Sequence, residues 1–136
     1  PAVSFAGAIG QPDAKVGEMP CAYVELVAGA KVTTRELLDH AADRVPERAA
    51  VPKYIEVLPE LPKTAVGKVF KPDLRRMAII RVFNDLFEEN KIPARVAAVV
   101  EDKKRGLVAR IERTGEVDDA AVALKLGEFT VPWEWA

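Results

Sequence analysis

Residues 61–75 read LPKTAVGKVFKPDLR, a stretch that combines a turn, a short extended segment and the start of a helix. Gly67 permits a tight turn directly before Lys68, because glycine adopts backbone conformations that other residues resist. Pro72 is typical of the first turn of a helix, where its missing N–H leaves no hydrogen bond unmade. The stretch therefore predicts an exposed turn that carries Lys68, then a brief strand and a helix over 73–89.

Lys68 is the side chain of this stretch with the clearest chemical use. A cation held on a proline-stiffened turn can stabilise negative charge that develops on a phosphate or a carboxylate. The residues alone leave a second interpretation open, an ordinary solvated lysine in a hairpin. Lys63, before the turn, is expected to face solvent. Between positions 63 and 81 the chain carries six basic residues against the single acid Asp73, a surplus that suits either an anion or a solvated helix face.

Two glycine-containing motifs that bind phosphates or RNA are excluded by their spacing. A phosphate-binding P-loop needs a glycine where this chain has Pro62, and a serine or threonine where it has Val69. The sequence GAIG at 7–10 could be compared with the backbone clamp of an RNA-binding KH domain. It ends an apolar, strand-like run instead of joining two helices, so that comparison fails as well.

The composition is that of a single globular domain. The chain has 136 residues, of which 49% are hydrophobic and 30% charged, which argues against disorder and against a membrane protein. A net charge of -1 gives no general attraction to nucleic acid or to an anionic membrane. The single cysteine, Cys21, excludes a disulfide framework and favours a cytoplasmic location. One cysteine and one histidine, His40, cannot build a zinc site, so we predict no metal site.

Alternating apolar residues in the first half predict three strands, over 3–9, 21–27 and 54–57. The sequence Gln-Pro-Asp at 11–13 predicts a turn after the first strand. Thr33 and Glu36 form a capping-box pattern ahead of an apolar helical stripe. We therefore predict a helix over 34–45, stopped by Pro46.

The second half repeats this pattern of strands and helices. Two apolar runs, 96–101 and 107–112, are joined by a glycine-containing turn and predict a hairpin. A closing helix should end at Gly127, and the tail holds Trp133 and Trp135, which would pack either on this domain or on a neighbouring one. Helices and short strands without regular alternation predict an α+β fold, with a small mixed or antiparallel sheet and packed helices.

Three stretches together resemble one known family. Residues 61–75 are similar to the C-terminal signature of acyl- and aryl-CoA synthetases, peptide synthetase adenylation domains and luciferases. Upstream, residues 1–13 and 16–26 resemble the segment that opens the same small domain. The resemblance spans about residues 1–81, and the motifs follow in the expected order. It identifies the chain as similar to the C-terminal lid domain of an AMP-forming acyl-CoA synthetase.

The resemblance implies a reaction that uses ATP, Mg²⁺ and CoA to activate a fatty or other organic acid. The carboxylate would attack the α-phosphate of ATP, releasing pyrophosphate, and the acyl-AMP would then pass its acyl group to CoA. Lys68 matches the family's catalytic lysine, while Gly67, Lys63 and Thr64 belong to the loop that presents it and are candidate cofactor contacts. After adenylation the domain is expected to rotate and withdraw Lys68. The partner would be a large N-terminal domain of the same polypeptide, absent here, so the chain alone should be inactive.

The boundaries that follow are residues 1–90 for this domain and residues 91–136 for an extension, a hairpin and a helix packed on it. Two other functions stay open. One is an adenylation domain that loads a carrier protein instead of CoA. The other is a non-catalytic binding module whose basic helix docks an acidic partner; no nucleic-acid partner is expected.

Overall fold

The structure is a computed structural model that describes residues 2–46 and 50–136. Pro1, where the family resemblance begins, lies outside the described residues. The elements, in chain order, are β1 (Val3–Asp13), β2 (Gly17–Leu26), α1 (Thr34–Arg44), β3 (Tyr54–Val57), α2 (Lys71–Glu89), β4 (Ala94–Asp102), β5 (Gly106–Arg113), α3 (Asp119–Leu126) and β6 (Trp133–Trp135). The predicted α+β class is confirmed, with two small sheets and three helices among the described residues.

The chain divides into two compact units, and the last division point falls inside α2, after Arg75. The first unit takes the residues up to Gln11 and Met19–Arg75, and the second takes Pro12–Glu18 and Arg76–Ala136. No helix in the described part of the chain is both long enough and apolar enough to cross a membrane.

The first unit is built on a three-stranded sheet in the order β1-β2-β3. β2 and β3 run parallel, with Cys21 opposite Tyr54 and Val24 opposite Val57, and the chain between them includes α1. Their apolar side chains form a small core to which α1 contributes Leu37 and Leu38. A parallel pair needs such a crossover, because a tight turn can join only antiparallel strands.

Helix α1 begins and ends as its sequence predicts. The Thr33 hydroxyl accepts a hydrogen bond from the Glu36 N–H at 3.1 Å, so the expected cap is formed. The helix ends at Arg44, and Val45 adopts an extended conformation because the following residue is Pro46. His40 lies exposed on this helix.

The predicted turn at 11–13 is wrong, because β1 continues to Asp13 and the turn lies at residues 14–16. A proline at position 12 is tolerated since β1 is an edge strand, where a missing N–H breaks no ladder. The Asp13 carboxylate accepts hydrogen bonds from the N–H groups of Lys15 and Val16, both at 2.9 Å, and so closes the turn itself.

The second unit packs helices against a sheet in the order β4-β5-β6. β4 and β5 form the predicted hairpin, β6 adds a parallel strand, and α3 ends before Gly127 as expected. The buried core of this unit contains Ile79, Phe83, Phe87, Val96, Val99, Ala109, Ile111, Val122 and Leu126. Both tryptophans of β6 are half-buried and pack against this core, with their rings 5.4 Å apart.

Helix α2 begins two residues before the predicted start, and Pro72 lies in its first turn. Helical spacing in the sequence predicts one apolar stripe formed by Leu74, Met77, Ile80, Phe83 and Phe87. This prediction is only partly right, since Met77 and Ile80 are half-buried whereas Ala78 and Ile79 are buried. The buried residues of the helix are mostly four positions apart. Residues at this spacing lie in one row along the helix surface, inclined to the helix axis.

Candidate functional site

The segment from Pro62 to Phe70 folds back on itself as a short hairpin, here called the Lys68 hairpin. Lys63 and Val69 form an isolated antiparallel bridge, in place of the brief strand expected at 69–70. Below the bridge, the Phe70 N–H donates to the Pro62 carbonyl at 2.8 Å. Backbone hydrogen bonds therefore join the two arms at their base.

The tip of the Lys68 hairpin is a tight loop closed by glycine. The Gly67 N–H donates to the Thr64 carbonyl at 2.9 Å, and the Thr64 N–H donates to the Lys68 carbonyl at 2.7 Å. Gly67 has φ +84, the left-handed conformation that glycine adopts most easily. A turn followed by such a glycine is the usual form of a three-residue hairpin loop. The predicted turn at Gly67 is thus present.

Thr64 stabilises this loop with its side chain as well as its backbone. Its hydroxyl accepts a hydrogen bond from the Lys68 N–H at 3.2 Å. The backbone of Lys68 is consequently bound to Thr64 through both its N–H and its carbonyl. The lysine side chain therefore starts from a fixed point, although it is itself exposed.

The ammonium of Lys68 makes no ion pair with a carboxylate anywhere in residues 2–46 and 50–136. It stands on the exposed tip, and the exposed cations Lys71 and Arg75 follow at the start of α2. A group in this position can contact an anion brought to it from outside the unit. That is the geometry required for a cation that stabilises charge on another molecule.

Lys63 does not face solvent, which corrects the expectation for it. Its side chain is 20% exposed, and its Nζ lies 2.8 Å from Glu25 Oε1. The same Nζ lies 4.3 Å from the centre of the Phe5 ring, within cation–π range. The ion pair and the Leu61 N–H hold the pKa of the Glu25 carboxyl below its ordinary value, with the Lys63 hydrogen bond as the larger cause. Lys63 anchors the hairpin and leaves Lys68 as its exposed cation.

The second arm of the hairpin lies against β1 at Gly7. A Cβ atom built on Gly7 would come 3.0 Å from Val69 Cγ1 and 2.5 Å from Leu74 Cδ1. The missing side chain of Gly7 therefore gives room for this arm and for the first turns of α2. An isolated glycine inside a strand signals such a close approach, so this contact could have been predicted from the sequence.

Glu25 is the residue of this region that sequence reasoning missed. It lies near the end of β2, and 38 residues separate it from Lys63. No local pattern links two positions so far apart, and nothing in the sequence distinguishes this glutamate from the others. Within the described part of the chain, no three histidine, cysteine, aspartate or glutamate side chains are grouped as metal ligands.

Comparison with known proteins places this hairpin in a family. The model of the AMP-binding enzyme C-terminal domain matches residues 1–68, which is half of the chain and ends on Lys68. The marinolic acid–CoA ligase of Pseudoalteromonas sp. (strain SANK 73390) is 42% identical over 86 residues, which cover 63% of this chain and 13% of that protein.

Two solved structures also match part of this chain. ATP-bound MatB from Rhodopseudomonas palustris matches with a TM-score of 0.52 and 26% identity, over 64% of this chain and 16% of that one. The anthranilate CoA ligase AuaEII in complex with anthranoyl-AMP matches with a TM-score of 0.54 and 30% identity, over 61% and 16% of the two chains. The chain spans between 13% and 16% of the length of these three proteins. It belongs to the family of AMP-binding enzyme C-terminal domains.

Proposed function

We propose that this chain is the lid domain of an ATP-dependent acid–thiol ligase and that Lys68 is its catalytic residue for adenylation. The observation that carries the proposal is the geometry of Lys68. Its backbone is fixed by two hydrogen bonds to Thr64, its ammonium is exposed and unpaired within the described residues, and it is the last residue of the family match. Two of the relatives compared above, the marinolic acid and anthranilate enzymes, are named as CoA ligases, which supports the class of reaction.

In the proposed first step, an oxygen of the substrate carboxylate attacks the α-phosphorus of ATP. The bond from that phosphorus to the pyrophosphate oxygen breaks, and acyl-AMP and pyrophosphate result. Negative charge on the phosphate oxygens rises in the transition state, and the Lys68 ammonium would stabilise it while bridging the carboxylate and the phosphate. Mg²⁺ would accompany the phosphates of ATP and neutralise part of their charge. We assign it no ligand in this chain.

In the second step, the sulfur of CoA attacks the acyl carbon, and the bond from that carbon to the phosphate oxygen breaks to release AMP. Lys68 has no part in this step, because the domain is proposed to rotate and withdraw the hairpin from the reacting atoms. Such domain movements commonly control turnover. The acceptor is proposed to be CoA because two of the three relatives compared above are named as CoA ligases.

The other loop residues act on the position of Lys68. We propose that Gly67 sets the turn, that Thr64 fixes the Lys68 backbone and that Lys63 anchors the first arm. Gly67 and Thr64, in the loop, are proposed to lie near a bound nucleotide, whereas the Lys63 ammonium is engaged by Glu25 and acts through the position of the hairpin. Residues 91–136 are proposed to be an extension of a domain formed by residues 1–90. The extension would pack on the last turns of α2, since Phe83 and Phe87 share one apolar core with β4, β5 and α3, although these residues all belong to the second unit.

The proposal is tested with the protein that carries this chain together with a large adenylating domain. Carboxylate-dependent exchange of labelled pyrophosphate into ATP should occur, and acyl-CoA and AMP should form when CoA is added. The 136-residue chain alone should show no exchange above background, because the acyl and nucleotide sites are proposed to lie on the other domain. Exchange by the chain alone, or ADP and phosphate as products of the complete protein, would contradict the proposal.

A further inference from the structure

We infer that Glu25 is the positioning residue of the Lys68 hairpin, acting on adenylation through Leu61 and Lys63. This inference rests on the proposed function of Lys68. Glu25 does not belong to the hairpin itself; it lies one residue before the end of β2. It is therefore the point at which the sheet of the first unit holds the loop that carries the reactive cation.

A single oxygen of Glu25 makes both contacts. Oε1 accepts a hydrogen bond from the Leu61 N–H at 2.9 Å and another from Lys63 Nζ at 2.8 Å. The carboxylate is 17% exposed and Leu61 only 2%, so little water competes for these bonds. Hydrogen bonds to a charged acceptor are stronger than those between neutral groups. Glu25 thus holds the backbone of Leu61, directly before the hairpin, and the side chain of Lys63 in its first arm.

Only two residue pairs of the hairpin connect the contacts of Glu25 to Lys68. Lys63 is bridged to Val69, and the next pair along the hairpin is Thr64 with Lys68. An arm fixed at Leu61 and Lys63 therefore fixes the position from which the Lys68 side chain extends. A displacement of about 1 Å at a reacting group can cost on the order of 10²-fold in rate. Freeing the first arm should consequently lower adenylation with no change in the lysine itself.

The experiment compares Glu25→Gln with Glu56→Gln in the complete protein. Both changes remove a partly buried carboxylate from the first unit, but Glu56 accepts its hydrogen bond from the Tyr54 hydroxyl at 2.6 Å and makes no hydrogen bond or ion pair with a described residue of the hairpin. Glutamine at position 25 can still accept from the Leu61 N–H, while the charge that holds Lys63 is lost. Lys63→Met is made as a second variant that breaks the same pair from the other side.

Two measurements separate positioning from general stability. Amide hydrogen exchange is followed by mass spectrometry on peptides that cover residues 61–70, where the Thr64 and Phe70 N–H groups cross the hairpin. In Glu25→Gln this exchange should quicken by roughly tenfold, while peptides from β4 and β5 stay as in the parent. Adenylation should fall by roughly tenfold, with thioester formation from supplied acyl-AMP unchanged. Lys63→Met should match both effects, and combining the two changes should add little.

Any of the following results would overturn the inference. Unchanged exchange over residues 61–70 in Glu25→Gln shows that this glutamate does not order the hairpin. Faster exchange with normal adenylation, in a protein where Lys68→Ala abolishes adenylation, shows that the order is irrelevant to the reaction. If Lys68→Ala itself leaves adenylation intact, the proposed function has failed, and the role of Glu25 in it fails too. Equal effects from Glu56→Gln indicate general destabilisation.

Discussion

Gly7 is the residue at which β1 lies against the second arm of the Lys68 hairpin and the start of α2. A side chain there would meet Leu74, which is 0% exposed, and Val69, which belongs to the second arm of the hairpin. Buried side chains have little room to move aside because protein interiors are closely packed. The requirement at position 7 is for space, since the positive-φ glycines lie elsewhere in the chain.

We predict that Gly7→Ala destabilises the chain by about 1–3 kcal/mol, the usual cost of adding an atom group to a packed site. The measurement is the midpoint of chemical denaturation followed by circular dichroism. Ala8→Val is the matched control, because Ala8 lies next along β1 on the exposed face, and it should shift stability by less than about 0.5 kcal/mol. A Gly7→Ala variant as stable as the parent would show that Leu74 and Val69 do not press on β1.

At the scale of elements, the hairpin of β4 and β5 fixes its turn differently from the Lys68 hairpin. Asp102 Oδ1 accepts hydrogen bonds from the N–H groups of Lys104 and Arg105 at 2.8 and 3.0 Å. The Arg105 side chain also lies 2.7 Å from Glu134 of β6, which joins the turn to the third strand. Chiefly the two backbone hydrogen bonds, and then the Arg105 side chain, lower the pKa of Asp102.

The lowered pKa of Asp102 predicts a pH dependence of stability. A carboxyl whose pKa is lower in the folded state stabilises the fold above its unfolded pKa, near 3.8, and loses that contribution as the pH falls through its folded pKa. Asp102→Asn should therefore be less stable than the parent at pH 6, and the difference should shrink as the pH falls below 3.8. Denaturation measured at pH 6 and at a series of lower pH values, with an NMR titration of Asp102, provides the test. A folded pKa at or above 3.8 would contradict it.

The sequence predicts most elements because their signals are local. The capping pair Thr33 and Glu36 locates the start of α1, and the glycine before Lys68 locates the hairpin turn. The extent of β1 escaped prediction because Pro12 reads as a turn residue unless its edge position is known. The parallel strand β6 has only three residues, and its pairing with β5 depends on the tertiary fold. Short strands of this kind leave little periodicity to detect.

The candidate site was also predicted only in part from the sequence. Lys68 could be chosen from its motif, and its exposure on a turn is confirmed. The expectation that Lys63 faces solvent was wrong. Its partner Glu25 lies on a strand distant in sequence, and no local sequence pattern indicates that these two charged residues form an ion pair. Ion pairs between elements become visible only when the fold brings the elements together.

At the scale of the whole molecule, the family match and the two units do not coincide. The match ends at residue 68, whereas the first unit continues to Arg75 and the second unit holds a separate core that includes Phe83, Phe87 and Ile111. The hairpin with Lys68 lies wholly in the first unit. We therefore propose that catalysis by this chain depends on the first unit, through one ammonium group in one of the two half-reactions.

The most direct test is Lys68→Ala in the complete protein, with each half-reaction measured separately. The control is Lys103→Ala, since Lys103 is also an exposed lysine in a hairpin turn that ends in a glycine, but in the second unit. Lys63 is unsuitable as a neutral control because its ion pair with Glu25 supports the hairpin. Lys68→Arg should not restore activity, because a planar guanidinium directs its donors differently from an ammonium.

We predict that Lys68→Ala lowers adenylate formation by roughly 10²-fold or more, about 2.7 kcal/mol of transition-state stabilisation, by analogy with the loss of one oxyanion donor. Thioester formation from supplied acyl-AMP should stay close to the parent rate, and Lys103→Ala should change neither step. Equal slowing of both half-reactions by Lys68→Ala, or slowing of neither, would contradict the account and leave Lys68 as an ordinary solvated hairpin lysine.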